Sequence, residues 1–311
     1  MKKSILILAL LGMFVGISQI QAQENKQYYT PKKGDWAVGV TFNPASISSG
    51  IKVQPAAGDY AGTYVSELAL SPKQMFVMSK DPLAAIRVKY HTSSKAAFRF
   101  AVGINGSVVN YQEYVRDDLS FALDPHTQNK VVDRATSAYN SVAIMIGREY
   151  KYGQKAVRFT WGFDLLYSIA GGTLNYKYGN ALTEYNKVPS TMPMLGSVQD
   201  GGVNDFMEVN GISYARPVQS YNQGYIHGIG FSVDMGLECF IAETLSLGVA
   251  LNFTPLMFTF QPQTWTVYEG FNSNIGSVME FNGLISPGSS AILYGTENIG
   301  CRISLNYYFG K

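Results

Sequence analysis

Three histidines, two cysteines and a pair of adjacent carboxylates are the residues of this 311-residue chain whose types could carry catalysis or hold a metal. His91 falls in a short link, His126 follows Pro125 in a long polar stretch, and His227 shares the parity of apolar neighbours in an alternating segment. None stands beside a Ser or Asp partner on a neighbouring segment, so an activated nucleophile cannot be assembled from them. Asp117 and Asp118 are adjacent, which points them to opposite sides of an extended chain, and they read as a solvated loop rather than a metal site. Zinc-type spacing, a phosphate loop and a triad motif are all missing from the sequence. Cys239, at the end of an alternating segment, and Cys301, inside another, are expected as unbridged thiols. The expectation is therefore no catalytic residue, no metal and no cofactor.

A second set of charges has a different pattern. Arg87, Lys89, Arg99, Arg158, Asp164, Asp234, Glu238 and Arg302 all occupy alternate positions of segments whose other positions are apolar. Residues two apart share one face of a strand, so each of these charges should look the same way as the small residues around it.

Eight segments show this period of two. Trp36, Val38, Val40 and Phe42 alternate with Ala37, Gly39 and Thr41, and Ile86, Val88 and Tyr90 alternate with Arg87, Lys89 and His91. After the link 92–95, Phe98, Phe100, Val102 and Ile104 repeat the pattern, which makes a hairpin with a tight turn. Further segments centre on Val142 to Ile146, Val157 to Ile169, Ile229 to Leu237, Leu245 to Phe253 and Ile299 to Phe309. A polar link through Lys151, Gly153 and Gln154 joins the fourth to the fifth. Links after the second, fourth and sixth segments are short, whereas 43–82, 108–136, 170–224 and 254–297 are long. Short turns on one side and long loops on the other is the asymmetry of a membrane barrel, with both termini on the short-turn side.

The two faces separate this reading from a soluble sandwich. A sandwich turns charge to water on its outer face. Here the polar face is mostly Gly, Ser, Ala and Asn with a few charges of both signs, a composition that fits a narrow interior. In hydrocarbon every backbone group must pair internally, and closure removes the sheet edges. Spans close to the roughly 9–11 residues of a tilted strand are long enough to cross. The predicted fold is all-β: a closed antiparallel up-and-down transmembrane barrel of eight strands, with ten or more as the alternative because 64–70 with 75–78 and 256–260 with 265–268 also alternate. Eight strands leave an interior that side chains can fill. The eight charges above are thus expected to form an internal ion-pair network that plugs the barrel.

Aromatics fall in two bands, as interfacial girdles require: Trp36, Tyr90, Phe98, Tyr307 and Phe309 near one rim, and Phe42, Tyr167, Tyr225 and Phe253 near the other. The start of the chain reads as a signal peptide over 1–22, with Lys2 and Lys3, a short apolar run, and cleavage between Ala22 and Gln23. Residues 23–33 then form a periplasmic N-terminal segment and 34–311 the barrel. A composition of 46% hydrophobic and 15% charged residues excludes a disordered chain, and a net charge of +2 provides no basic field for nucleic acid. The long loops carry Tyr60, Tyr64, Tyr176, Tyr178, Tyr185, Tyr214, Tyr221, Trp265, Tyr268 and Phe271 among small polar residues. That is the composition of binding surfaces, although packing of the loops on themselves explains it too.

The stretch Leu83-Ala84-Ala85-Ile86-Arg87-Val88-Lys89-Tyr90, its turn to Ala97-Phe98-Arg99-Phe100-Ala101-Val102-Gly103, and the ending Ile303-Ser304-Leu305-Asn306-Tyr307-Tyr308-Phe309 resemble the bacterial outer-membrane β-barrel domain family, typified by the OmpA transmembrane domain and OmpX. The resemblance implies a barrel embedded in outer-membrane lipid and lipopolysaccharide, loops extracellular and termini periplasmic. It also implies a last strand read by the barrel-assembly machinery. Phe309 is followed by Gly310 and Lys311, a departure from that signal, and the loops are longer than in the small relatives. No peptidoglycan-binding domain is expected after Phe309. The expected role is a non-enzymatic surface, adhesion or interaction protein or an accessory subunit with an envelope protein partner. An envelope enzyme of the lipid A-modifying or protease type, or a narrow transporter, is the alternative.

Overall fold

The computed structural model describes residues 29–42, 84–153, 156–192, 198–199, 204–220, 225–295 and 299–310. The expected cleavage site at Ala22 and Gln23, the alternation at 64–70 and 75–78, and Tyr60, Tyr64 and Tyr221 lie outside these residues. No helix among the described residues is long and apolar enough to cross a membrane.

The described residues form thirteen strands: β1 (Trp36–Phe42), β2 (Ala84–His91), β3 (Ala96–Arg116), β4 (Lys130–Tyr152), β5 (Val157–Lys177), β6 (Val198–Gln199), β7 (Tyr214–Ser220), β8 (Ile226–Phe240), β9 (Leu245–Gln261), β10 (Thr264–Asn272), β11 (Ser277–Ser286), β12 (Ser289–Tyr294) and β13 (Ile299–Phe309). Among the described residues two short helices join them, α1 (Asp118–Leu123) and α2 (Asn204–Val209). Eight strands close on themselves in the order β1-β2-β3-β4-β5-β8-β9-β13, each antiparallel to its neighbours, and β13 returns to β1 with Phe309 opposite Trp36. Closure satisfies every edge of this cylinder, as a sheet in hydrocarbon requires.

Alternation decides which way each side chain points. Along β1, Trp36, Val38, Val40 and Phe42 are exposed on the outside, while Ala37 and Thr41 are buried within. The same outward exposure recurs at Ile86, Phe100, Ile146, Phe163, Leu165, Phe231, Met235, Leu251 and Leu305. A continuous belt of this kind faces lipid, because no other chain element covers it among the described residues and water would not tolerate it. The barrel is transmembrane.

The eight barrel strands are those expected, and the corrections concern their length. β3, β4 and β5 run far beyond the barrel, so 108–116, 130–136 and 170–177 are strand rather than loop. Most of the stretch expected as the last long loop, 254–297, is also sheet, since β9 continues to Gln261 and β10, β11 and β12 follow. Period two is broken there by Gly, Pro and bulges, one of them between Thr264 and Trp265. At this end the wall forks. β5 pairs with β8 as far as Ala170 opposite Ile226 and then with β7 from Leu174, and β9 leaves β13 at Phe253 and takes up β12 at Leu256. The extensions, with β6, β7, β10, β11 and both helices, build a lobe beyond the barrel. At the other end the links are tight, as between β2 and β3, where the amides of Thr92 and Ser93 donate to the carbonyl of Ala96. Between β4 and β5, Gly153 takes a positive φ of 103°, which a side chain would resist.

Candidate functional site

The interior of the barrel is the first candidate. All eight charges expected there are only 2% to 4% exposed and face inward. Arg99 is the hub. Its Nε and Nη2 grip the two oxygens of Asp164 at 2.6 and 2.8 Å, its Nη1 donates to Asp234 at 3.0 Å and to Glu149 at 3.3 Å, and its Nη2 also meets Asp234. Nearer the tight turns, Lys89 donates to Glu149 at 2.8 Å and Lys151 to Glu238 at 2.7 Å. Tyr308 bridges this second cluster, since its hydroxyl donates to Glu238 at 2.5 Å and accepts from Lys151. Ser246 and Asn306 also donate to Glu238, at 2.6 and 3.2 Å. Arg158 turns to the floor of the barrel, where it donates to the carbonyl of Tyr29 at 2.5 Å and lies over the Phe240 ring at 4.3 Å. Arg302 approaches Asp234 at 3.3 Å.

Glycine makes room for these groups. A Cβ on Gly162 would stand 2.9 Å from the Arg99 guanidinium carbon and 2.5 Å from the Arg148 carbonyl. One on Gly39 would stand 2.5 Å from the Asn306 amide oxygen. The small residues on the inner face thus leave room for the bulk of the charged ones inside a narrow cylinder.

Glu149, Lys151 and Tyr308 belong to the network and are not among the expected charges. Lys151 reads in the sequence as part of a polar link, but β4 continues to Tyr152 and carries it inside. Continuing the alternation Ala143, Met145, Gly147, Glu149, Lys151 is the signal that finds it. His91, expected at the turn, is the last residue of β2 and is fully buried, 5.7 Å from the Tyr308 ring, with neither ring nitrogen hydrogen-bonded. The segment before β1 closes this end: the Tyr29 hydroxyl donates to Asp35 at 2.5 Å, and its amide donates to the carbonyl of Glu243 at 3.0 Å.

The aromatic bands lie on the outside. Trp36 and Tyr90 pack at 4.9 Å and Tyr307 and Phe309 at 6.4 Å on the tight-turn rim, where Phe98 lies under Arg148 at 5.4 Å. Tyr150 and Trp161, stacked at 4.6 Å, extend this rim. At the other rim Phe42 and Tyr167 are exposed, Tyr225 and Phe253 half-buried, and the Tyr167 hydroxyl lies 2.9 Å from Nδ1 of His227, whose ring stacks on Phe260 at 4.7 Å. His126 is exposed beyond α1. Cys239 and Cys301 are both thiols. Among the described residues no group of His, Cys, Asp or Glu could hold a metal ion.

The lobe is the second candidate. β3 and β4 pair without a break to Arg116 opposite Lys130, and α1 crowns their tip. Asp117 caps α1 by accepting from the amides of Leu119 and Ser120. Asp118 is held, not solvated as expected: its carboxylate accepts from Ser190 N at 2.6 Å and Asn186 Nδ2 at 3.0 Å. Partial burial works to raise its pKa, but these hydrogen bonds outweigh it and hold the carboxyl below its ordinary range. Asp133, fully buried, accepts from the amides of Gly179 at 2.8 Å and Met192 at 3.0 Å. Asn180 donates to the carbonyls of Arg116 and Ser190. The stretch 178–192, which has no regular structure, is thereby pinned across the sheet.

Two small cores stabilise the lobe. Ala135, Leu174 and Met192 pack with Tyr111, Tyr176 and Tyr178, and Met207, Ile212, Ala215, Tyr268 and Phe281 pack between α2, β7 and the β10–β11 hairpin. Arg216 ties them together. It donates to Glu269 at 2.7 Å and to the Asn180 carbonyl at 2.9 Å, and lies over the Tyr178 ring at 3.9 Å. Burial pushes the hydroxyls of Tyr176 and Tyr178 up, opposed at Tyr178 by Arg216. Several loop tyrosines therefore pack the lobe on itself, whereas Tyr185 is almost fully exposed.

No protein-family model and no curated protein sequence matches the chain. Among solved structures it is similar to the outer membrane protein OprG of Pseudomonas aeruginosa, at 11% identity over 92% of this chain and 100% of that one, with a TM-score of 0.33. It is also similar to Ail, the attachment invasion locus protein of Yersinia pestis, at 5% identity over 89% and 99% with a TM-score of 0.28. A third is a major outer membrane protein of Thermus thermophilus, at 9% identity over 89% and 99% with a TM-score of 0.30.

Proposed function

We propose that the chain is a non-enzymatic protein of the bacterial outer membrane that acts through its lobe, as a structural, adhesion or interaction protein or as an accessory subunit of an envelope complex. The observation that carries this reading is the contrast between a barrel interior filled by ion pairs and a lobe folded well beyond the lipid-facing belt. A filled interior offers no wide path, and in a barrel of eight strands none is expected. In this reading the lobe is extracellular, the tight turns and Tyr29 are periplasmic, and the first 22 residues are removed on export. Outer-membrane lipid and lipopolysaccharide surround the belt, the barrel-assembly machinery reads β13, and nucleic acid is not a partner.

At the tip of the lobe, Leu119 and Leu123 of α1 are 73% and 82% exposed, and no residue of this helix is buried. Apolar side chains held on a capped helix above a polar sheet are suited to contact with another protein. Recovery of the tagged protein from detergent-solubilised membranes tests the reading. A partner retained by the native chain and lost on Leu119→Ser/Leu123→Ser substitution supports it. Large, steady openings in planar-bilayer recordings, or a native chain that retains no partner, overturn it.

A further inference from the structure

Among the described residues the charges inside the barrel do not balance. Arg87, Lys89, Arg99, Lys151, Arg158 and Arg302 face Glu149, Asp164, Asp234 and Glu238, with Asp35 at the floor already engaged by Tyr29 and the Lys32 amide. The carboxylates are not shared evenly. Arg99 takes both oxygens of Asp164 and also binds Asp234 and Glu149, while Lys89 and Lys151 saturate Glu149 and Glu238. Arg87 is left with no carboxylate at ion-pair distance among the described residues, and Arg302 has only the Asp234 that Arg99 already holds. Both arginines are 4% exposed and lie on either side of β1, Arg87 opposite Gly39 at its middle and Arg302 just beyond the Phe42–Ile303 pair at its lobe end.

The unsatisfied atoms are specific. Among the described residues Nε of Arg87 and both Nε and Nη2 of Arg302 are buried without a hydrogen-bond partner, Nη2 of Arg302 having only the longer ion-pair contact to Asp234 at 3.3 Å. Nε and Nη2 form one edge of a guanidinium, two parallel N–H groups spaced to meet two oxygens of one anion. Arg99 uses this same edge on Asp164. Arg87 and Arg302 stand on the two strands that flank β1, so two guanidiniums of like charge share this part of the interior. Buried cations in this state are costly unless an anion joins them.

We propose that Arg302 and Arg87 form a binding site for a small oxyanion, a carboxylate or a phosphate, inside the lobe end of the barrel. The Arg302 edge grips two of its oxygens and Arg87 Nε donates a third bond. The bound anion completes the ion-pair network and adds to the filling of the interior, whatever partner the lobe takes.

The test uses the full mature chain refolded in detergent, titrated with sodium acetate or inorganic phosphate against sodium chloride at equal ionic strength, with the thermal unfolding midpoint as readout. A ligand that binds only the folded state raises that midpoint with concentration. Acetate, phosphate or both should raise it where chloride does not, and the responding salt identifies the oxyanion. Arg302→Lys keeps the charge but loses the fork, so apparent affinity should fall by about tenfold or more. Arg87→Gln should weaken binding less, and the double variant should respond to none of the salts. Broadening of the 13C-acetate or 31P-phosphate resonance by the native chain provides a second readout that needs no variant to fold. Equal responses to chloride, no response in the native chain, or an undiminished response in Arg302→Lys overturns the proposal.

Discussion

The barrel interior and the lobe both bury ionised groups, but they satisfy them by opposite means. Inside the barrel charges meet charges: Arg99 with Asp164 and Asp234, Lys89 with Glu149, Lys151 with Glu238. In the lobe Arg216 still pairs with Glu269, but the carboxylates that pin 178–192 meet backbone amides: buried Asp133 takes those of Gly179 and Met192, and partly buried Asp118 takes that of Ser190. The backbone explains the difference. In a closed barrel the ladder uses the main-chain groups of the wall, so an inward charge finds other side chains, or, as Arg158 does with the Tyr29 carbonyl, the segment that closes the floor. In the stretch 178–192 no ladder forms, amides need acceptors, and carboxylates supply them. A charge removed from the barrel therefore strands another charge, whereas one removed from the lobe strands an amide that water can reach once the stretch opens.

The sharpest way to break this comparison is at the hub. Arg99→Met leaves Asp164 and Asp234 buried with little compensation, and should cost about 3–5 kcal/mol of stability, measured as the urea midpoint of the refolded barrel. Adding Asp164→Asn and Asp234→Asn should recover part of that loss. A neutral Arg99→Met variant would mean that the interior pairs are not what holds the inside together. Gly162→Ala probes the same place by volume. Its methyl would crowd the Arg99 guanidinium, so roughly 1–3 kcal/mol should be lost in the same measurement.

In the lobe the effect should be local. Asp133→Ala strands the amides of Gly179 and Met192, at about 1–3 kcal/mol. Its signature should be new protease cleavage within 178–192, with no change in the migration of the unboiled protein on an SDS gel. Asp118 adds a pH dependence. Its folded-state pKa is depressed, so its contribution is complete above the unfolded value of about 3.9 and disappears as pH falls through the folded one. Cleavage of 178–192 by an acid-active protease should therefore increase on acidification below that range, and Asp118→Asn should flatten the dependence.

The same contrast explains what is legible in the sequence. Regular alternation writes the barrel into it, including the inward parity of Arg87, Arg99 and Asp234, because a period of two fixes the face without knowledge of the partner. It does not place Lys151, which sits beside Gly153 and reads as part of a turn. Nor does it show that Asp118 and Asp133 hold 178–192, because those bonds run to main-chain amides some 46 to 72 residues away and leave no periodic trace. The lobe strands are obscured for a related reason. β7 carries Pro217 opposite Tyr268 at a shift of register, so alternation there breaks where pairing does not.

The smallest expected effect on stability is also the one that bears most on function. Leu119 and Leu123 contact neither lobe core, and α1 is fixed by the Asp117 cap and by Arg116, which lies over Phe121 at 4.2 Å. Replacing both leucines by Ser removes exposed apolar surface and leaves cap, hairpin register and interior untouched. The unfolding free energy obtained from urea titration should then change by no more than about 0.5 kcal/mol. If the tip is a contact surface, partner recovery should fall while the protease pattern of 178–192 and the gel migration stay native. A loss of recovery accompanied by new cleavage would instead trace the effect to the packing of the lobe, and would move the contact surface from α1 to the sheet beneath it.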